Sequence, residues 1–277
     1  MTVLEFLYHT VPGRLCLKVL TAPPISRSCG RFLDSPVSSR LISPFAKKNQ
    51  IHLDDYLLDD VHSFNDFFSR KICPELRPVD MDPSHLAAPC DGLLSAWKIQ
   101  RDTVLPVKQS HYTISSLLRD PHLAARYEGG YCFVFRLCVN HYHRYSYVDS
   151  GRKSATRRIE GVLHTVRPVA LREFPVFTEN SREYTLIQSP ALGTLLQMEV
   201  GAMLVGRIVN HDDACLVHRG QEKGFFQYGG STIIVLAEKD AVSVRHDLLE
   251  HSKMGVETPV KMGECIAFEK LDKKTHS

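Results

Sequence analysis

The chain has no CxxC pair, although it carries eight cysteines: Cys16, Cys29, Cys73, Cys90, Cys132, Cys138, Cys215 and Cys265. That scatter excludes a zinc ribbon. A disulfide framework is also unexpected. A chain of 277 residues can bury a sizeable core without staples, and its N-terminus shows no secretory signal. The expectation is reduced thiols in a cytosolic compartment. Long apolar runs are missing as well. Glu5, His9, Arg14 and Lys18 interrupt the N-terminal MTVLEFLYHTVPGRLCLKVL. It falls short of the ~20 apolar residues a spanning helix needs and has no clean signal-peptide core. Charge of one sign is scarce. Net charge is +3, with no dense Lys/Arg run and no DNA- or RNA-binding motif, so no nucleic-acid partner is expected. Neither GxxxxGK[ST] nor a GxGxxG after a strand occurs, which removes the common nucleotide cradles. No solenoid repeat or low-complexity linker divides the chain, so a single domain over 1–277 is expected.

What is present divides near Arg77-Pro78. Residues 1–70 read as mostly helical. Leu4, Leu7, Tyr8 and Val11 recur at helical spacing, Leu15 and Val19 continue it, and Pro12 splits it. This stripe either packs on the domain, the favoured reading, or rests on lipid with Arg14 and Lys18 near the headgroups. Asp54 or Asp55 is placed to cap a short helix, and Ser63 to cap the aromatic SFNDFFSRK. Beyond residue 78, short strands alternate with Gly, Pro and Asp: 92–99, 131–139, 161–169, 184–189, 194–200, 203–209 and 231–238, with a short helix in 111–120. The fold class is therefore α+β, a helical layer followed by a mainly antiparallel β domain.

Few residues could carry chemistry. Asp91-Gly92 opens a strand, and an isolated Asp-Gly is most often a turn. His141 and His143 share one side if the strand 131–139 continues through them. An exposed pair at a strand end is the plain reading, and a proton-handling pair the sharper one. No convincing third ligand turns them into a metal site, so none is expected. Gly229-Gly230-Ser231-Thr232 interrupts FFQYGGSTIIVLAE, and a bend explains it by composition alone.

Six segments in one order change that reading. SFNDFFSRKICPELRPVD (63–80), APCDGLL (88–94), YHRYSYVDSG (142–151), FTENSREYTLI (177–187), VGAMLVGRI (200–208) and GQEKGFFQYGGST (220–232) resemble the motifs of the phosphatidylserine decarboxylase family, particularly its short bacterial forms. The resemblance covers nearly the whole chain. It implies that the Gly230–Ser231 bond is cut by the protein itself, giving a β chain 1–230 and an α chain 231–277 that stay associated, with a homodimer among the assemblies allowed. By resemblance, Ser231 attacks the Gly230 carbonyl in an N-to-O acyl shift. Elimination and loss of ammonia then leave a covalent pyruvoyl group on the α chain. That group condenses with the substrate amine and acts as an electron sink as carbon dioxide leaves. The implied substrate is phosphatidylserine, and the implied place is the cytoplasmic side of the cell membrane, held peripherally.

Also by resemblance, His143 is the base for Ser231 and Asp91 the carboxylate that orients it. Tyr142 and His141 fall at the substrate. Two positions depart from the family pattern. Ser146 stands where a second histidine is common, and His141 where an aspartate precedes YHR. They leave His141 as the reserve base. Two other functions stay open. One is the same chemistry on a soluble, for example aromatic, amino acid. The other is an unprocessed lipid-binding relative.

Overall fold

A computed structural model describes residues 23–100, 105–107, 110–161, 176–201, 207–228 and 231–270, together with Phe6, Thr10, Pro12, Gly13 and Cys16. The helical layer comes first. Helices Pro23–Leu33 and Ile42–Lys48 flank a 3-10 turn, and the short helix Phe64–Phe68 follows. Ser63 caps that last helix as its sequence requires. Its hydroxyl accepts from Asp66 N at 3.2 Å, and the Asp66 carboxylate accepts from Ser63 N at 2.9 Å. Asp54 and Asp55 do not cap a helix. They lie inside the 3-10 turn Leu53–Asp55, whose cap position is His52. Leu33, Phe64 and Phe68 form a small apolar cluster with Ile42, Phe45 and Tyr228. Burying Phe64 and Phe68 contributes roughly 1.5–3 kcal/mol each, enough to fix so short a helix by packing.

The β domain is built on a nine-stranded antiparallel sheet. Its order runs Leu216–Val217, Gly151–Lys153, Arg182–Ser189, Gly193–Val200, Ser231–Ala237, Tyr131–Leu137, Gly92–Lys98 and Thr258–Val260, and Arg157–Ile159 also pairs with Arg182–Ser189. Ser231–Ala237 lies in the interior of the sheet, between Gly193–Val200 and Tyr131–Leu137, and all seven of its residues are buried. An unbroken apolar run is what such a strand needs, because both faces are covered. Ile234 and Leu236 enter one core with Val134, Met198 and Val200, and Phe6 packs against this core from the N-terminal segment. Ile233 and Val235 enter the other core with Phe133, Phe135 and Leu137. A smaller sheet of Ile208–Asn210, Glu222–Phe226 and Arg144–Ser146 contributes Ile208, Tyr145 and Phe226 to the second core. This is the α+β arrangement the sequence predicts.

Several expectations lie outside the described residues: the strand 161–169 beyond Gly161, most of VGAMLVG, the N-terminal stripe of Leu4, Leu7, Tyr8, Val11, Leu15 and Val19, and Gly229-Gly230. The strand from Tyr131 stops at Leu137 and does not continue through the histidines. His141 N donates to the Cys138 carbonyl at 2.9 Å, which closes a turn there. The expectation that His141 and His143 share one strand face therefore fails.

The small sheet depends on one close approach. A Cβ on Gly224 would stand 1.9 Å from the Val209 carbonyl oxygen and 2.9 Å from the Tyr145 hydroxyl. Gly224→Ala must separate two paired strands, a form of overpacking that costs about 1–3 kcal/mol. A lowered thermal midpoint is expected, and an unchanged one would show that the sheet can spread without cost.

Candidate active site

The fold brings Ser231 and His143 together in a fully buried contact. Ser231 begins its strand opposite Leu137 of the neighbouring strand. His143 immediately precedes Arg144–Ser146 of the small sheet. Ser231 Oγ lies 3.4 Å from His143 Nδ1, and both residues have no exposed surface. Three contacts hold His143. Its main-chain carbonyl accepts from Phe226 N at 3.0 Å. The Phe68 ring stacks on it with centroids 4.0 Å apart. Its Nε2 lies 3.1 Å from the Cys138 carbonyl oxygen.

That last contact fixes the tautomer. A carbonyl oxygen only accepts, so Nε2 carries the proton and Nδ1 presents its lone pair to Ser231. Burial holds the His143 pKa well below the ordinary imidazole value, and the nearby charges of Arg70 and His141 push the same way. His143 is therefore neutral and can accept the hydroxyl proton.

Asp91 lies elsewhere. It is buried at the start of the strand Gly92–Lys98, and Arg77 grips both its carboxylate oxygens through Nε and Nη2. Its Oδ1 also accepts from Met262 N at 3.0 Å. No hydrogen bond joins it to His143. The orienting acceptor for the imidazole is the Cys138 carbonyl, a backbone group that residue identity does not reveal. His141 is half-buried, and its Nδ1 accepts from Cys138 N at 3.1 Å. Burial lowers its pKa, with Asp91 pulling the other way. Ser146 is tied to the Asp91 turn instead: its N donates to the Pro89 carbonyl at 2.8 Å, and its hydroxyl approaches the same oxygen at 3.4 Å.

Tyr142 lines a cavity of about 350 Å³, together with Arg77, Arg144, Ser146, Lys71 and Leu57. The cavity adjoins the histidine segment on both sides, through Tyr142 and Arg144. Its lining mixes apolar surface with cations, of which Arg77 holds Asp91 and Arg144 holds Glu222. Elsewhere, Asp80, His85 and Cys265 bring ligand atoms within 4.8 Å of one another, a grouping that no local spacing in the sequence marks.

Fold and site together define an α+β protein that seals a serine, at the start of a central strand, against a neutral histidine. The profile of the phosphatidylserine decarboxylase family matches residues 64–268. The phosphatidylserine decarboxylase proenzyme 2 of Clostridium acetobutylicum is 39% identical over 95% of this chain and 90% of its own length. The phosphatidylserine decarboxylase proenzyme of Ruminiclostridium cellulolyticum is 39% identical over 99% and 93%, and that of Desulfitobacterium hafniense 38% over 95% and 91%. The chain belongs to the phosphatidylserine decarboxylase family.

Proposed function

We propose that this chain is a self-processing proenzyme that cuts its Gly230–Ser231 bond and then decarboxylates phosphatidylserine to phosphatidylethanolamine. The observation that carries this reading is the sealed contact between Ser231 Oγ and the unprotonated Nδ1 of His143. His143 takes the hydroxyl proton as Oγ attacks the Gly230 carbonyl carbon. The amide C–N bond gives way to an ester, and the Ser231 nitrogen gains a proton. A base removes the Ser231 Cα proton as the Gly230 carboxylate leaves from Cβ, and the resulting dehydroalanine, as its imine, takes up water and releases ammonia to leave a pyruvoyl group.

The residues present suit that group. Its site is a fully buried strand start facing a neutral base, where a reactive carbonyl is shielded from bulk water. Once formed, it supplies an electron sink for the departing carboxylate. His143, on the same side, is placed to hold or return a proton. Tyr142, Arg144 and Lys71 line a cavity suited to a head group that carries a phosphodiester, a carboxylate and an ammonium, net charge −1.

The helical layer supports peripheral attachment to a membrane. Phe32, Val37, Leu41, Leu53 and Leu57 are 40–60% exposed, and Arg31, Arg40, Lys47 and Lys48 are exposed in the same layer. Leu57 also lines the cavity, so apolar surface reaches its wall. Among the described residues, no helix is long and apolar enough to cross a membrane.

Intact mass tests the reading without a substrate. The wild-type protein is expected as two fragments, 1–230 and 231–277, the smaller blocked at its N-terminus and reactive to hydrazine. Ser231→Ala should remain one chain. An uncut wild-type chain with no reactive carbonyl would remove the proposal. Carbon dioxide released from free amino acids but never from dispersed lipid would move the substrate to the soluble class.

A further inference from the structure

Arg70 follows the helix whose Phe68 stacks on His143. Its side chain is 2% exposed, yet no carboxylate pairs with it among the described residues. Nη1 donates to the Phe67 carbonyl at 3.1 Å, while Nε and Nη2 make no hydrogen bond of good geometry, although the Tyr56 hydroxyl acts favourably on the guanidinium. The guanidinium lies 4.0 Å from the Tyr56 ring centroid and 4.8 Å from that of Phe67. Such stacking softens the cost of burial but leaves the N–H edge unmet.

Comparison within the chain shows how unusual this is. Arg77, Arg136, Arg144 and Arg219 each hold a carboxylate. Arg182 is equally buried without one, but it donates to the carbonyls of Ser116, Leu117, Thr178 and Asn180. Arg70 has a single carbonyl. A buried, half-satisfied cation is costly unless another state of the protein completes it.

We propose, building on the self-processing reading above, that Arg70 is a preformed receiver for an oxyanion that arrives or arises beside Ser231. Its planar N–H edge suits two oxygens of one anion. Two sources share that chemistry. The first is the phosphodiester of the head group. Its charge persists through decarboxylation, whereas a cation on the departing carboxylate would stabilise the ground state more than the transition state. Arg70 precedes the pair Lys71–Ile72, and both of those residues line the cavity beside Tyr142. The second source is the carboxylate that cleavage releases from Gly230. Tyr228 packs on Phe68 with ring centroids 5.2 Å apart, and its N lies 3.2 Å from Asn65 Oδ1. The chain leading to the cleavage site is thereby held along the helix that ends just before Arg70.

The test titrates wild-type, Arg70→Met and Arg70→Lys proteins with glycerophosphoserine, the deacylated head group, and with its neutral methyl phosphotriester. It also compares thermal midpoints of cleaved and uncleaved (Ser231→Ala) chains with and without Arg70→Met. If the phosphodiester is the anion, Arg70→Met weakens diester binding by roughly tenfold or more and erases the preference over the triester, while cleavage continues. If the new carboxylate is the anion, head-group binding is unchanged. Cleavage then stabilises the protein only when Arg70 is present. Should Arg70→Met fail to fold, Arg70→Lys keeps the charge but loses the fork, and a roughly threefold or larger loss in either readout is expected. Unchanged diester affinity together with unchanged stabilisation on cleavage overturns the proposal. A wild-type chain that never cleaves would overturn the processing reading instead, and the diester–triester comparison would still report on Arg70.

Discussion

His143→Ala is expected to leave the chain uncut, with cleavage slowed roughly 100- to 10,000-fold, the range that loss of a positioned base produces. Ser231 is buried, and its hydroxyl meets one imidazole among the described residues, at 3.4 Å through Nδ1. Water cannot readily replace a base in so closed a site. The neighbouring substitutions separate this reading from its rivals. Ser146→Ala should process nearly normally, because Ser146 is bonded to Pro89 and does not contact Ser231. His141→Ala should slow cleavage modestly, since His141 supports the Cys138 turn whose carbonyl holds Nε2. Asp91→Asn should act through Arg77 and Met262 N and leave the imidazole tautomer unchanged. If His143→Ala cleaves on time while His141→Ala does not, the base is His141. A pH profile gives a second check. His143 must be neutral to act, and its pKa lies well below the ordinary value of about 6.5. The cleavage rate should therefore stay level through pH 6.5 and fall only further into acid.

The parts legible in the sequence are those where one local rule dominates. Ser63 with Asp66 is a capping box in sequence and in structure. The run from Ser231 reads as a short strand, and it is one, buried at every position. Ser231 and His143 were paired only through the family resemblance, and no spacing rule joins residues 88 apart in sequence. Two features were hidden for different reasons. The Cys138 carbonyl carries no side-chain identity, so no residue type in the sequence marks it as the group that orients the imidazole. The family resemblance gives that role to Asp91, but the chain turns so that Arg77, fourteen residues earlier, holds its carboxylate. Arg70 and Lys223 look like ordinary surface cations in sequence. Only the tertiary fold shows that they are buried.

Lys223→Met is expected to cost about 3–5 kcal/mol of stability, the usual consequence of leaving a buried charge without its partner. Lys223 Nζ lies 2.6 Å from Glu199 Oε2 and 2.7 Å from Asn210 Oδ1, and neither charged side chain has exposed surface. Glu199 belongs to the nine-stranded sheet and Lys223 to the small one, so the pair joins the two layers. Burial raises the Glu199 pKa, with Lys223 opposing it. Removing Lys223 removes that opposition and leaves a carboxylate whose other oxygen, Oε1, already lacks a partner. The sign of the pH effect follows. A carboxylate whose folded pKa is raised favours the fold while protonated, and that stability is lost as pH rises from the unfolded value near 4.3 through the folded one. The deficit of Lys223→Met should therefore shrink between pH 7 and pH 5. Adding Glu199→Leu should recover much of the loss, because an apolar pair of similar volume needs no desolvation. Urea titrations of the two single variants and the double variant, each at both pH values, provide the measurement. A single-variant loss under about 1 kcal/mol, with no recovery in the double, would mean that the pair does not join the layers. The strand Arg144–Ser146 is hydrogen-bonded to Glu222–Phe226. Loosening Lys223 should consequently reach His143 and slow cleavage even in the fraction of protein that remains folded.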